Sequence, residues 1–308
     1  TVGRRNLERF AEMPSVLAVV GGMHSGVITE ELDDIHRLKI PYLIPWAAAQ
    51  GLTLHEHRPS YTFRVSINDT SVAPFLLERA LKSHGRVSVL LERSAWGRSS
   101  EAALKPLIDK LPPGTAEIEW VNTGDSGIEA RVEQLVKNDK QAIVLVVNGI
   151  EALAVVQSMA RQERKIPVFA HWALVGGDFW GQAREVLQKV DLRFVQSILR
   201  DETASHPNLS RFLERYRQRY GAGPDDPLPS LMGSVHAYDL THLLARAVKQ
   251  AKSGDRSAIR AALESLPPYS GVLREYKPAF SRENHDALDR SLLRMARFDE
   301  RGRIVLAE

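Results

Sequence analysis

Ser15-Val16-Leu17-Ala18-Val19-Val20-Gly21-Gly22 is the stretch from which the fold is read. A short apolar run that ends in glycines has the pattern of a buried parallel strand leaving through a tight turn. The next segment, Ser25 to Lys39, carries Val27, Ile28, Leu32, Ile35 and Leu38 at helical spacing, with Glu30, Glu31, Asp33 and Asp34 opposite. That is an amphipathic helix. Ile40-Pro41-Tyr42-Leu43-Ile44-Pro45 follows as a second strand bracketed by prolines. Strand, helix and strand in this succession make a βα unit with its return strand.

Working outward, the alternation continues. Strands are expected over 61–65, 86–91, 116–121, 142–147, 166–170 and 192–198, and helices over 71–83, 99–111, 128–137 and 151–162. One helix near 4–13 precedes the opening strand. Strands alternating with helices of this length predict an α/β class, with mainly parallel sheets flanked by helices. The pattern then changes. Helices are expected over 208–220, with Phe212, Tyr216 and Tyr220 four residues apart, and over 231–251 and 258–266. The Gly-, Pro- and Asp-rich segment 221–229 reads as a loop. From Tyr269 onward the chain reads as short strands and turns.

The 308 residues correspond to about two domains. Hydrophobic residues at 44% and charged residues at 26% are ordinary for a folded globular protein. The net charge of +3 comes from 41 basic and 38 acidic side chains, interspersed rather than gathered in a stripe. Nucleic acid is therefore not an expected partner. With no cysteine, disulfides and thiolate chemistry are excluded. No apolar run reaches the length of a membrane span, and no basic-then-apolar leader opens the chain.

The order of motifs resembles that of the type I periplasmic binding proteins, the branched-chain amino-acid-binding family. Val19-Val20-Gly21-Gly22-Met23-His24-Ser25-Gly26 is similar to the strand-to-helix turn of the family's first lobe. Ile40 to Ala48 resembles the next strand and its ligand loop. Phe63-Arg64-Val65 looks like the first hinge crossing, and Trp96-Gly97 an aromatic–glycine pair after a second-lobe strand. Phe212-x-x-x-Tyr216-x-x-x-Tyr220-Gly221, Ala237-Tyr238-Asp239, Tyr269-Ser270-Gly271-Val272 and Asn284-His285-Asp286 follow in family order. The resemblance implies a two-lobed fold with a hinge. Residues 1–64 and 197–285 would form lobe one, and 65–196 and 286–308 lobe two. It departs at the start, where the family has a strand, a helix and a second strand before the Gly21-Gly22 turn.

The resemblance also implies a ligand site, at the carboxyl ends of the strands. On lobe one the candidates are Met23, His24 and Ser25, with Trp46, Ala47 and Ala48. Ser25 stands at a helix start, beside free N–H groups and the positive dipole end, a natural carboxylate seat. Its alternative role is an N-cap, and both can hold. The loop at Trp46-Ala47-Ala48 would offer backbone N–H groups. Ala48 lacks the hydroxyl that many amino-acid binders carry there. On lobe two the candidates are Trp96, Asn148, His171 and Trp172. Amino-acid binders place an acidic residue at the position of Trp172, where it meets the ligand's ammonium. A buried ammonium without such a partner is costly. Three indoles suit an aromatic or bulky apolar carboxylate. The alternative for each is ordinary core or hinge packing, the reading given to Trp120 and Trp180.

Enzyme motifs do not match. Gly22-Met23-His24-Ser25-Gly26 is similar to a hydrolase elbow, but its serine is one place late. His55-Glu56-His57 lacks the spacing of a zinc helix. Neither a dinucleotide-binding nor a Walker sequence occurs. The expected function is the extracytoplasmic, periplasmic solute-binding component of an ABC importer, partnered by a membrane permease and using no cofactor or metal. A ligand-sensing receptor domain of the same fold is the second reading, and an α/β enzyme the third.

Overall fold

The computed structural model describes residues 2–228 and 230–307; Pro229, at the end of the expected 221–229 loop, lies outside them. In chain order the elements are α1 (Val2–Ala11), β1 (Val19–Val20), α2 (Ser25–Arg37), β2 (Tyr42–Ile44), β3 (Thr62–Arg64), α3 (Asp69–Leu81), β4 (Val87–Glu92), α4 (Ala95–Ile108), β5 (Ala116–Val121), α5 (Ile128–Lys137), β6 (Ala142–Val146), α6 (Gly149–Arg161), β7 (Val168–Ala170), α7 (Phe179–Leu187), β8 (Leu192–Gln196), α8 (Pro207–Tyr220), α9 (Leu231–Ala251), α10 (Arg256–Leu263), β9 (Tyr269–Ser270), β10 (Glu275–Tyr276), β11 (Arg294–Phe298) and β12 (Ile304–Leu306). Two compact units result. Unit 1 is Thr1–Asn68, Glu202–Gly221 and Met232–Arg290, and unit 2 is Asp69–Asp201, Ala222–Leu231 and Ser291–Glu308. Relative to the sequence expectation, 65–68 and 286–290 group with unit 1, and 197–201 and 222–231 with unit 2. Side chains account for this at two seams. Asn68 donates to Asp286 (2.7 Å) within unit 1, and Ser230 to the Val175 carbonyl (2.7 Å) within unit 2.

Unit 2 is a seven-stranded sheet in the order β12-β11-β8-β7-β6-β4-β5. Strands β4 to β8 are parallel, and β11 and β12 close one edge antiparallel. Every residue of β4 and β6 is buried, as expected of central parallel strands covered on both faces. The edge strand β5 carries Glu117 and Glu119 instead, and the latter pairs with Arg131 at 2.9 Å.

Unit 1 holds the three-stranded parallel sheet β1-β2-β3 and the β9–β10 hairpin. The strand expected over 15–20 shrinks to Val19–Val20. The Arg256 guanidinium explains the shortening. It donates to the carbonyls of Phe10, Ala11, Met13 and Val16 (2.9–3.2 Å), so that segment turns and never meets a strand partner. Two family-like motifs meet around buried Asp239. It accepts from Val272 N–H (2.8 Å), Leu273 N–H (3.0 Å) and Tyr276 Oη (2.9 Å). A side chain at Gly271 would come within 2.5 Å of that carboxylate, so only glycine fits.

The centre of unit 1 is Arg64, which has no solvent exposure. Its Nε and Nη2 donate to Asp286 Oδ1 (2.7 Å) and Oδ2 (2.9 Å). Nη2 also reaches Thr53 Oγ1 (3.0 Å), and Nη1 the carbonyls of Ala49 (2.8 Å) and Ala47 (3.4 Å). All the donors of the guanidinium are thereby used. The backbone follows suit: Arg64 N–H donates to His285 O (2.8 Å) and Ala287 N–H to Arg64 O (2.9 Å), laying 285–287 beside β3. Burial alone would raise the Asp286 carboxyl. The Arg64 charge and hydrogen bonds from Arg64, Asn68 and Thr53 outweigh it and hold the group below its usual range. Removing one partner of a buried pair leaves the other charge unpaired. Asp286→Ala is therefore expected to lower unfolding stability by about 3–5 kcal/mol in urea titrations.

Candidate functional site

The strand order of unit 2 contains a topological switch point. Strand β4 lies between β5 and β6, so the connections after β4 and after β6 depart in opposite directions. Such a switch point leaves a crevice outside the carboxyl ends of the strands. The chain leaves β4 through Glu92-Arg93-Ser94 and leaves β6 through Val147-Asn148. The two exits are joined, because Asn148 Nδ2 donates to the Glu92 carboxylate. Asn148 occupies the N-cap position of α6, but its side chain caps nothing. Burial pushes the Glu92 carboxyl above its ordinary value, and the nearby Glu151 carboxylate adds to the shift.

Helix α4 begins at Ala95, earlier than the expected 99, because Ser94 Oγ accepts from Gly97 N–H (3.3 Å) and caps it. Trp96 is thus fixed in the first helical turn. Gly97 shows why the aromatic–glycine pair is needed: a Cβ there would lie 1.8 Å from the Glu92 carbonyl oxygen.

Trp96, His171 and Trp172 come together in unit 2. The Trp96 and His171 rings meet edge-on at 4.7 Å, and the His171 and Trp172 rings at 3.9 Å. Trp96 Nε1 donates to Asp69 Oδ1 (3.1 Å), a fully buried carboxylate at the start of α3. His171 Nδ1 accepts from Ala173 N–H (3.2 Å), so the ring's proton sits on Nε2. That Nε2 is 3.9 Å from Asp69 Oδ1, beyond hydrogen-bond range. Trp172 has no solvent exposure, and its Nε1 has no acceptor among the described residues. The cluster therefore presents two buried N–H donors that no described acceptor meets. Each such group costs about 1–3 kcal/mol.

The remaining candidates lie in unit 1. Met23 and His24 are exposed, and Ser25 is buried. The N-cap of α2 is His24, without a side-chain bond, so Ser25 is not the cap that the sequence left open. Its Oγ instead accepts from Ala49 N–H (3.3 Å), tying the helix start to the 46–49 loop. In that loop the carbonyls are taken by side chains. His236 Nδ1 meets Pro45 O (3.0 Å), Ser66 Oγ donates to Trp46 O (3.1 Å), and Arg64 holds Ala47 and Ala49. The N–H groups of Trp46, Ala47 and Ala48 have no acceptor among the described residues. Ala47 and Ala48 are buried, and the half-buried Trp46 ring lies over Gly233 of α9.

Sequence reasoning missed Arg64 as the holder of this loop, and Asp69 and Glu92 as polar partners at the strand ends. Asp69 carried a signal, an acidic residue in the first turn of a helix. The other two are buried charges within apolar strands, whose partners are distant in the chain.

The periplasmic binding protein family model matches residues 1–303. The chain belongs to this family. Its fold is the type I fold, with two α/β units of mainly parallel sheet. Among solved structures it is similar to a periplasmic binding protein type 1 from Bordetella pertussis Tohama I, at 21% identity and TM-score 0.83 over 98% of this chain and 83% of that one. A branched-chain amino acid transporter substrate-binding protein from Streptococcus pneumoniae, in complex with isoleucine, aligns at 20% identity and TM-score 0.74 over 97% and 81%. A solute-binding protein of an ABC transporter from Rhodopseudomonas palustris, in complex with benzoate, aligns at 17% and 0.72 over 97% and 81%. At these identities the likeness is one of fold. No curated protein matches significantly. These relatives are binding proteins rather than enzymes, and the family acts outside the cytoplasm. No helix among the described residues is long and apolar enough to cross a membrane.

Burial keeps several histidines of this binding protein neutral. It pushes His171 down to about 3 and His236 to about 4, from an ordinary 6.5. His36 and His55 are likewise lowered to about 4, chiefly by burial. The unfolded chain takes up protons below pH 6.5 that the folded chain refuses until about pH 4. Stability from these residues is therefore complete above pH 6.5 and lost as pH falls towards 4. A melting temperature that drops steadily across that interval, measured by calorimetry, is the expected outcome.

Proposed function

We propose that this chain is the extracytoplasmic solute-binding component of an ABC importer, that it carries no catalytic activity, and that its ligand is a small carboxylate with an aromatic or bulky apolar body. The observation that carries the ligand class is the pair of unmet buried donors, His171 Nε2–H and Trp172 Nε1–H. A carboxylate offers acceptors only, so it answers both. An ammonium would set donors against donors. The indole faces of Trp96 and Trp172 supply the apolar contact. In unit 1, Ser25 at the start of α2 and the unused N–H groups of Trp46, Ala47 and Ala48 support the same reading, since both favour negative charge.

The fold supports the role of carrier: the family binds solutes, and similar structures belong to ABC transporters. The implied partner is therefore a membrane permease, which receives the loaded protein. Met23, His24 and Asn148 complete the proposed contact set. Asn148 is presented from the switch point by its bond to Glu92.

Native mass spectrometry of the purified protein, followed by a thermal-shift panel of benzoate, larger aromatic acids, branched-chain amino acids and sugars, tests the reading. Aromatic carboxylates are expected to raise the melting temperature. Trp96→Ala and Trp172→Ala should each weaken binding by about 1 kcal/mol or more. Trp172→Phe, which keeps a ring and removes the donor, should cost about 1 kcal/mol as well. A panel in which amino acids alone bind, or unchanged affinity in all three variants, overturns the assignment.

A further inference from the structure

Helix α2 ends in a Schellman arrangement. Ile40 N–H donates to Ile35 O and Lys39 N–H to His36 O, both at 3.2 Å. The residue held in the left-handed conformation is Lys39, with φ of 53°, where glycine would carry no steric penalty. This turn forms one wall of a cavity of about 480 Å³ within unit 1. The cavity's other walls include His57, Arg58, Tyr61, Ser257 and Arg260, and among the described residues no carboxylate lines it.

The donors around it are largely pre-set. Arg58 is anchored through Nη1 to the carbonyls of His55 (2.6 Å) and His57 (2.8 Å), which leaves Nε and Nη2 to donate. Arg260 is gripped by Glu264 (2.8 and 3.0 Å) and by Ser60 O (3.1 Å), with its guanidinium 5.7 Å from the Tyr61 ring. Tyr61 Oη and Ser257 Oγ share one hydrogen bond (2.8 Å), so one hydroxyl proton remains to be offered. Lys39 is exposed and has no ion-pair partner among the described residues. His36 forms a neutral wall. Its Nδ1 bonds Leu32 O (2.6 Å), its Nε2 accepts from Tyr61 N–H (3.1 Å), and its ring stacks on His57 at 4.2 Å.

We propose that this cavity is a second binding site, for a compact, multiply charged oxyanion of the phosphate class. Two acidic groups pair with its walls: Glu264 offsets Arg260, and the exposed Asp33 reaches His57 Nε2 at 3.2 Å. Lys39 and Arg58 have no ion-pair partner among the described residues, and both line the same concave surface. An arginine fork beside a lysine is the donor set that phosphoryl oxygens accept from most readily. The site is separate from the solute contacts proposed above. Ser25 and Lys39 stand at opposite ends of α2, about 20 Å apart at helical rise.

Pyrophosphate titrated into the full chain, followed by calorimetry and by the imidazole resonances of His57, tests the proposal. Saturable binding of one anion per chain, with His57 shifting in step, is expected. Lys39→Gly should weaken it about fivefold or more while leaving the melting temperature equal or higher, since glycine relieves the left-handed position. Arg58→Gln should weaken it similarly, and each variant should keep its solute binding. No saturable response, or a response that both variants retain at full strength, overturns the proposal.

Discussion

The buried pair of Arg64 and Asp286 is the interaction on which unit 1 turns. Residues far apart in the chain meet there: β3, the 47–49 loop, Thr53 and the segment 284–287. A charge inside protein is tolerated only where every donor and acceptor is answered. The guanidinium reaches that state by taking two main-chain carbonyls from the loop that also bears Trp46 and Ala48. The same bonds that keep the charge in place therefore set the loop's shape. With the carbonyls of Pro45, Trp46, Ala47 and Ala49 held by His236, Ser66 and Arg64, the loop keeps the N–H groups of Trp46, Ala47 and Ala48 without an acceptor among the described residues. Ser25 adds a tie from the helix start. Charge burial and the shape of this loop have one cause.

Unit 2 solves the opposite problem. Its central strands β4 and β6 are buried throughout and apolar but for Ser88 and Glu92, and the polar partners of Trp96 and Asn148 gather where the strands end. Glu92 with Asn148, and Asp69 with Trp96, are paired across elements. His171 Nε2 and Trp172 Nε1 have no acceptor among the described residues. Burial holds His171 neutral, which leaves it a donor at one nitrogen and an acceptor at the other. In the reading proposed above, selectivity would come from what is left unmet: a ligand that brings acceptors would remove a cost already present in the folded protein. Tight backbone approach supports it. Gly97 lets the first turn of α4 sit against the end of β4, so Trp96 is placed by a helix cap and a missing side chain together.

What the sequence alone determined was the class of fold and the succession of its elements. Apolar runs such as 142–147 and the helical stripe of 25–39 are local periodicities, and backbone hydrogen bonding converts period directly into strand or helix. The ordered motifs added the family. Tertiary structure decided the rest, because it depends on partners distant in the chain. The opening strand is short since Arg256, from α10, takes the carbonyls of residues 10, 11, 13 and 16. Ser25 serves the 46–49 loop rather than its own helix, and Asp239 joins two motifs that are only neighbours in space. Whether an indole is buried and whether a histidine is charged follow from how distant parts of the chain pack around them. No local pattern encodes those quantities.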